Sequence, residues 1–434
     1  MAKLMESFTR TLRVFVTLAF SCCANTAIGE ASTPEIRPLS RDVTFIVTSD
    51  CHYDAFENED RNDRNRDTIR DRIPRGVSHC GMNAITNVSW PEQLVGYHVG
   101  YPTVGGGLIQ RPRGVLVLGD AIDDGDRIFQ GKHQTPRQWL LFQADFGLDG
   151  TDGLLNYPVY ETWGNHDGPP VGKEQHGFTF QAQLKQRNLL RQQIGYHVGY
   201  PTVEGWLTNL STNGLHYSWD WDDVHFVQLG IYPADRQHPE VKYSAEWHDP
   251  QGALAFLKHD LAEHMGASAR PVVLMSHCGF DTDWWHSDDW KAAYEAMKPY
   301  NVILYLYGHS GTGLRQWMPP GEDKLLSCVN TGQTENGFFV VRITDNKVRL
   351  AFRIKHWLYE EAAEGKPRRT WDGTWEWKHL FERNLIMHDR SKPAGRLTST
   401  SAQESRAQLE PRPPLAHAAA ESRAPEGEAA PTEQ

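Results

Sequence analysis

Basic side chains are in deficit. Lys and Arg number 44 against 55 Asp and Glu, a formal net charge of −11. Proteins that wrap nucleic acid carry a basic excess or stripe, so scaffold binding to DNA or RNA is not expected. Cysteine is scarce, at six residues, and forms no close C-x-x-C pair of the kind a structural zinc site uses. No apolar run is long enough to span a bilayer comfortably. Collagen-like, coiled-coil and multi-span membrane classes are thereby excluded. What remains, in 434 residues with 39% hydrophobic content, is chain enough for a large core.

The N-terminus reads as an export signal, residues 1–31. Lys3, Arg10 and Arg13 precede an apolar stretch from Val14 to Ala27, and small residues at Ala27, Gly29 and Ala31 suit cleavage. The expected location is therefore periplasmic or secreted, with no transmembrane span in the mature chain. Cys22 and Cys23 raise a lipid anchor as a lesser alternative, although Phe20-Ser21 before them is a poor lipobox. Cleavage leaves Cys51, Cys80, Cys278 and Cys328, which allow three complete disulfide pairings. A Cys51–Cys278 pair is one hypothesis. Residues 393–434 hold 6 Pro, 10 Ala and no aromatic residue. Such a tail cannot bury enough apolar surface to offset ordering and is expected to be disordered.

Between about residues 42 and 388, short apolar runs alternate with helix-like stretches. Val43–Asp50, Val115–Asp120, Pro158–Asp167, Pro271–Cys278 and Asn301–His309 have the character of buried strands. Each carries an Asp, Asn or His at or beside its C-terminal end, the edge where open α/β sheets bind ligands. Gln251–Met265 sets Leu254, Leu257 and Leu261 on one helical face. Ser287 is the expected N-cap of a helix with Asp288 and Asp289 in its first turn. Hairpins are expected at Asp222-Asp223 and Asp345-Asn346.

Three features are harder to place. The segment GYHVGYPTV occurs at 96–104 and again at 195–203. Tyr97, His98, Tyr196 and His197 would make paired substrate-facing loops, but a copied surface insertion is the preferred reading. The charged run Glu57–Arg72 reads as a solvated helix face rather than a phosphate contact. Trp139, Trp163, Trp219, Trp221, Trp284, Trp285 and Trp290 crowd the middle of the chain. Most are expected in the core, with Trp284, Trp285 and His286 the candidates for a site mouth.

Taken together, the strand ends carry chemistry. Asp50 and His52, Asp120 and Asp123, Asn165 and His166, His277 and His309 supply mixed carboxylate, imidazole and amide donors. That mixture suits Mn, Fe, Zn or Mg without thiolate. An Asp serves well as the bridge between two ions ~3.5–4 Å apart.

In this order, D-x-H, G-D-x-x-D, G-N-H-D, H and G-H resemble the calcineurin-like metallophosphoesterase superfamily, over Val43 to His309 and to about Arg353 if the last hairpin belongs. The resemblance implies a four-layer α/β/β/α sandwich of two mixed β-sheets flanked by helices. It implies hydrolysis of a small phosphorylated substrate by a metal-bridging hydroxide at a centre of two divalent or iron ions. Asp50 and His52 would hold one metal, Asp120 both, and Asn165, His277 and His309 the other. His166 would donate a proton to the leaving group, oriented by Asp123. The sequence departs from the common G-H-x-H ending: Gly308-His309-Ser310-Gly311 lacks the last His, which implies a weaker, more exchangeable first metal. A phosphate monoester is the leading substrate class. A phosphodiester of a nucleotide, glycerophosphodiester or lipid headgroup is the alternative, and a non-catalytic binding scaffold the alternative outside the enzymes.

Overall fold

The computed structural model describes residues 40–53, 76–92, 106–123, 128–129, 132–167, 180–194, 207–241, 249–280, 283–360 and 368–385. The leader, the charged run at 57–72, both GYHVGYPTV segments and the C-terminal tail lie outside them.

In chain order the elements are β1 (Asp42–Thr48), α1 (Val77–Asn83), β2 (Val115–Val117), β3 (Ile128–Phe129), β4 (Lys132–His133), α2 (Thr135–Phe146), β5 (Val159–Glu161), α3 (Phe180–Ile194), β6 (Asn209–Leu210), β7 (Tyr217–Trp221) and β8 (Val224–Gln228). Then follow α4 (Ala253–Asp260), β9 (Val272–Met275), α5 (Ser287–Met297), β10 (Val302–Tyr307), β11 (Thr312–Trp317), β12 (Leu326–Thr331), β13 (Gly337–Thr344), β14 (Lys347–Glu360) and β15 (Arg368–Asn384).

Two mixed sheets dominate the described residues, ordered β15-β14-β13-β1-β2-β5 and β11-β12-β10-β9-β8-β7-β6. β1, β2 and β5 run parallel in the first sheet, as do β8, β9, β10 and β12 in the second. Antiparallel strands extend the first sheet at one edge and the second at both, and two of the hairpins turn at Asp222-Asp223 and Asp345-Asn346 as the alternation requires.

Side-chain alternation shows how the layers stack. Val43, Phe45 and Val47 of β1 join Trp219, Phe226, Met275, Leu304 and Phe339 in one cluster between the sheets. Phe45 meets Phe226 edge-on at 5.2 Å, and Trp219 stacks on Phe226 at 5.0 Å. Ile46, Val115 and Val117 belong to the other cluster, with Met82 of α1 and Trp139, Phe142 and Phe146 of α2. Leu257 of α4 and Met297 of α5 share that cluster with Val272 and Leu274 of β9. The result is the expected α/β/β/α arrangement. Sheets buried on both faces read as continuous apolar runs, which is why the strands were visible in sequence.

Five of the seven central tryptophans, Trp139, Trp163, Trp219, Trp221 and Trp285, are core residues. Ser287 is corrected from cap to first helical residue. The N-cap of α5 is His286, whose ring accepts the Asp288 amide at 3.2 Å. Cys51, Cys80, Cys278 and Cys328 stand as thiols, so the Cys51–Cys278 disulfide is not formed.

One ion network locks α3 to the sheet. Glu161 of β5, fully buried, meets Arg187 Nε at 2.7 Å and also Arg191. Burial would raise its carboxyl pKa, but the two guanidinium groups outweigh this and hold it low. Removing the carboxylate strands two buried cations. Glu161→Gln is expected to cost about 3–5 kcal/mol in urea unfolding; a loss near zero would show that the network contributes nothing.

Candidate metal centre

The parallel strands β1, β2 and β5 end beside β9 and β10, and the loops that follow interlock. Asp50 N–H donates to the Gly119 carbonyl at 3.0 Å and His52 N–H to the Asp120 carbonyl at 2.9 Å. Gly308 N–H donates to the His277 carbonyl at 2.8 Å. Contact is so close that two glycines are required. A Cβ on Gly164 would sit 2.7 Å from His277 Nε2 and collide with Asp120 Oδ1. A Cβ on Gly308 would lie 2.8 Å from Asp50 Oδ2 and strike Ser49 Oγ.

The same loops are strained. Asp50, His52, Asp120 and His309 have φ of 51°, 48°, 50° and 68°. This left-handed region costs a non-glycine residue about 1–3 kcal/mol, and such strain clusters at functional sites. Four of the six expected metal ligands share it.

Asp120 sits at the centre. Its Oδ2 lies 3.3 Å from His277 Nε2 and 3.7 Å from His52 Nε2. Its Oδ1 accepts the His166 amide at 2.9 Å. His277 donates from Nδ1 to the Leu118 carbonyl (2.8 Å), which leaves Nε2 facing Asn165 Oδ1 at 2.9 Å. In the neutral ring that nitrogen carries a lone pair. It then points at two oxygen acceptors, and only a proton or a cation reconciles the three. This is a donor set that fits a metal ion.

Asp50, His52 and Asp120 converge as a second set of donors. Asp50 Oδ2 accepts from Ser49 Oγ and from the His309 amide (3.0 Å), and Oδ1 lies 3.8 Å from His52 Nε2. His309 places its ring 5.1 Å from that of His277. Ser310 and Gly311 follow it, so this turn adds no further imidazole to the Asp50 set.

Positive charge on the imidazoles balances these carboxylates. Burial would lower the His52 pKa, but Asp123, Asp50 and Asp120 raise it to about 10. Burial acts likewise on His277, and Asp120 with Asp50 raises it to about 9. Burial would raise Asp50 and Asp120; the neighbouring imidazoles hold both low instead.

Asp123 faces both histidines. Its carboxylate meets His52 Nδ1 at 2.9 Å and lies within 4.8 Å of a His166 ring nitrogen. His166 Nδ1 donates to the Asp123 main-chain carbonyl at 2.7 Å. The Asp123 N–H donates to the Tyr53 carbonyl at 3.1 Å, beside the parallel bridge of Tyr53 with Ile122, and this holds the residue against the β1 loop. His166 is exposed, with its ring 4.6 Å from that of His52.

Asp167 was assigned no role from sequence, and Trp284 only a candidate place at the site mouth. Asp167 accepts the amides of Gly164 (2.7 Å) and Ile122 (2.9 Å), clamping two ligand loops together. Burial and the charge of Asp120 push its pKa up to about 8. Trp284 lies edge-on to His309 at 3.9 Å, whereas Trp285 is buried beneath. Asp167 was legible as the last letter of G-N-H-D; Trp284 had only its nearness to His277.

The family model for calcineurin-like phosphoesterases matches residues 43–312. Among curated proteins none matches. Solved structures give distant likenesses. A Thermus thermophilus protein is 12% identical at a TM-score of 0.35, over 70% of this chain and 94% of its own. A Bacillus subtilis calcineurin-like phosphoesterase is 11% identical at 0.33, over 85% and 98%. A Candida albicans 5′-nucleotidase is 13% identical at 0.31, over 69% of this chain; the chain spans 46% of that enzyme.

The raised imidazole pKa values set a pH dependence. A histidine charged more readily in the folded state than in the unfolded one stabilises fully below its unfolded pKa. For His52 and His277 that contribution is whole below about 6.5 and fades as pH rises through about 9 and 10. The melting temperature of chelator-stripped protein is expected to fall between pH 6.5 and 10, and excess divalent metal is expected to abolish the fall. Identical profiles with and without metal would contradict the assignment.

Proposed function

We propose that this chain, which belongs to the calcineurin-like phosphoesterase family, hydrolyses a phosphate monoester of a small substrate at a centre of two divalent ions. The observation that carries the reading is Asp120 Oδ2 lying between two imidazole nitrogens, His277 Nε2 at 3.3 Å and His52 Nε2 at 3.7 Å. A carboxylate so placed is suited to bridging.

Asp50, His52 and Asp120 would hold one ion, and Asp120, Asn165, His277 and His309 the other. When bound, the ions supply a nucleophile at neutral pH and positive charge against the phosphoryl oxygens. Every other part of the chemistry falls to side chains. Asp123 fixes the His52 proton on Nδ1, so that Nε2 keeps its lone pair for the centre. Its carbonyl fixes a proton on His166 Nδ1, so that Nε2 is the nitrogen free to exchange one. From its exposed position His166 donates that proton to the departing oxygen. Mn, Fe, Zn and Mg all suit the donors.

The basic and apolar pattern of residues 1–31 supports export. No helix among the described residues is long and apolar enough to cross a membrane.

The test compares an aryl phosphate monoester with a bis-aryl phosphate diester on metal-replete protein, using wild type and His166→Ala. Monoester turnover is expected to predominate. His166→Ala is expected to lower kcat about 10²–10⁴-fold while the metal content stays unchanged, because His166 is not a ligand. Preference for the diester would replace the monoester reading. Absence of both turnover and bound metal would leave a binding scaffold.

A further inference from the structure

A second cluster of metal-ligating side chains lies outside the centre just described. The loop after β8 carries His238 and Glu240, and the start of α5 carries His286 and Asp289. The Val241 N–H closes a turn on the His238 carbonyl at 3.0 Å and folds Glu240 back on the ring. His238 Nδ1 is then 3.2 Å from Glu240 Oε1, and His286 Nε2 is 3.8 Å from the same oxygen. Ligands on one tetrahedral zinc ion stand about 3.3 Å apart, given metal–ligand bonds of about 2 Å. The observed separations bracket that value.

Behind His238 stands a carboxylate. Asp289 Oδ2 lies 2.9 Å from His238 Nε2 and is shut off from solvent. A carboxylate on the far nitrogen is what holds a ligating imidazole in one tautomer, here with the proton on Nε2 and the lone pair on Nδ1. His286 and Asp289 are three residues apart at the helix start and so share a face. Trp285, next to His286, stacks on Tyr232 at 5.5 Å and donates from Nε1 to the Gly279 carbonyl at 2.7 Å.

We propose that His238, Glu240 and His286 form a separate site for one divalent transition-metal ion, with Asp289 supporting His238. Two imidazoles and a carboxylate favour zinc, or a neighbour such as cobalt or nickel, over magnesium and calcium, which take oxygen donors. Binding requires a local rearrangement. The two rings stack at 4.5 Å with planes 15° apart, and an ion lies in the plane of each ring it joins. The rings must therefore swing out of the stack, and His286 must release the Asp288 amide it now accepts at 3.2 Å. The ion would tie the β8 loop to α5, two residues from the tryptophan that lies against His309. Nothing in this site depends on the phosphoesterase reading.

The experiment counts zinc by elemental mass spectrometry on full-length chain, stripped with chelator and dialysed against low-micromolar zinc chloride. His238→Ala, Glu240→Ala and His286→Ala are each expected to hold one zinc fewer than wild type, whatever the total. His259→Ala, at an exposed histidine elsewhere, is expected to match wild type. Asp289→Asn is expected to weaken that zinc about 10–100-fold without removing a ligand. Equal zinc in wild type and the three ligand variants would overturn the site. Should a variant fail to fold, zinc anomalous diffraction from wild-type crystals decides: a peak between His238 and His286 supports the site, and its absence refutes it.

Discussion

A buried carboxylate between two imidazoles governs this molecule. Asp120 is almost wholly shut off from solvent, and burial alone would drive it to the neutral acid. It stays charged because His52 and His277 face it. Three carboxylates, those of Asp50, Asp120 and Asp123, and the Asn165 amide crowd around these rings. Without positive charge the cluster would be repulsive throughout. Charged imidazoles at His52 and His277 can supply it, and in the proposed reading a pair of cations would satisfy the same lone pairs with more charge.

That demand explains the loops. Left-handed backbone at Asp50, His52, Asp120 and His309 is not what the strands themselves prefer. It is imposed by the need to aim donors at one point from both sheets. Gly164 and Gly308 give the closeness, and Asp167 clamps the β2 and β5 loops by two amides. The sheets in turn are held by an aromatic interior in which Phe45, Trp219 and Phe226 interlock. The fold is thus a device for bringing the C-terminal ends of parallel strands together across two sheets.

Much of this was legible in the residues. Apolar runs such as Val115–Asp120 and Asn301–His309 announced buried strands, because sheets covered on both faces need no alternation. The donors at or beside their ends announced the site. The partner of each donor was not legible. The Asp123 carboxylate meets His52 while its main-chain carbonyl holds His166, and sequence spacing does not encode that division. His286 displaces Ser287 as the cap because a ring nitrogen reaches the amide as well as a hydroxyl does. The His238, Glu240, His286 and Asp289 cluster was invisible for a simpler reason. Its halves are some fifty residues apart and match no spaced motif, so only the packing of α5 against the β8 loop joins them.

The most direct measurement is anomalous diffraction at a metal edge from crystals grown with manganese or zinc. The account predicts two peaks flanking the Asp120 carboxylate, one beside Asp50 and His52 and the other beside Asn165, His277 and His309. A single peak, or none within reach of Asp120, would contradict the shared-carboxylate centre on which the rest depends.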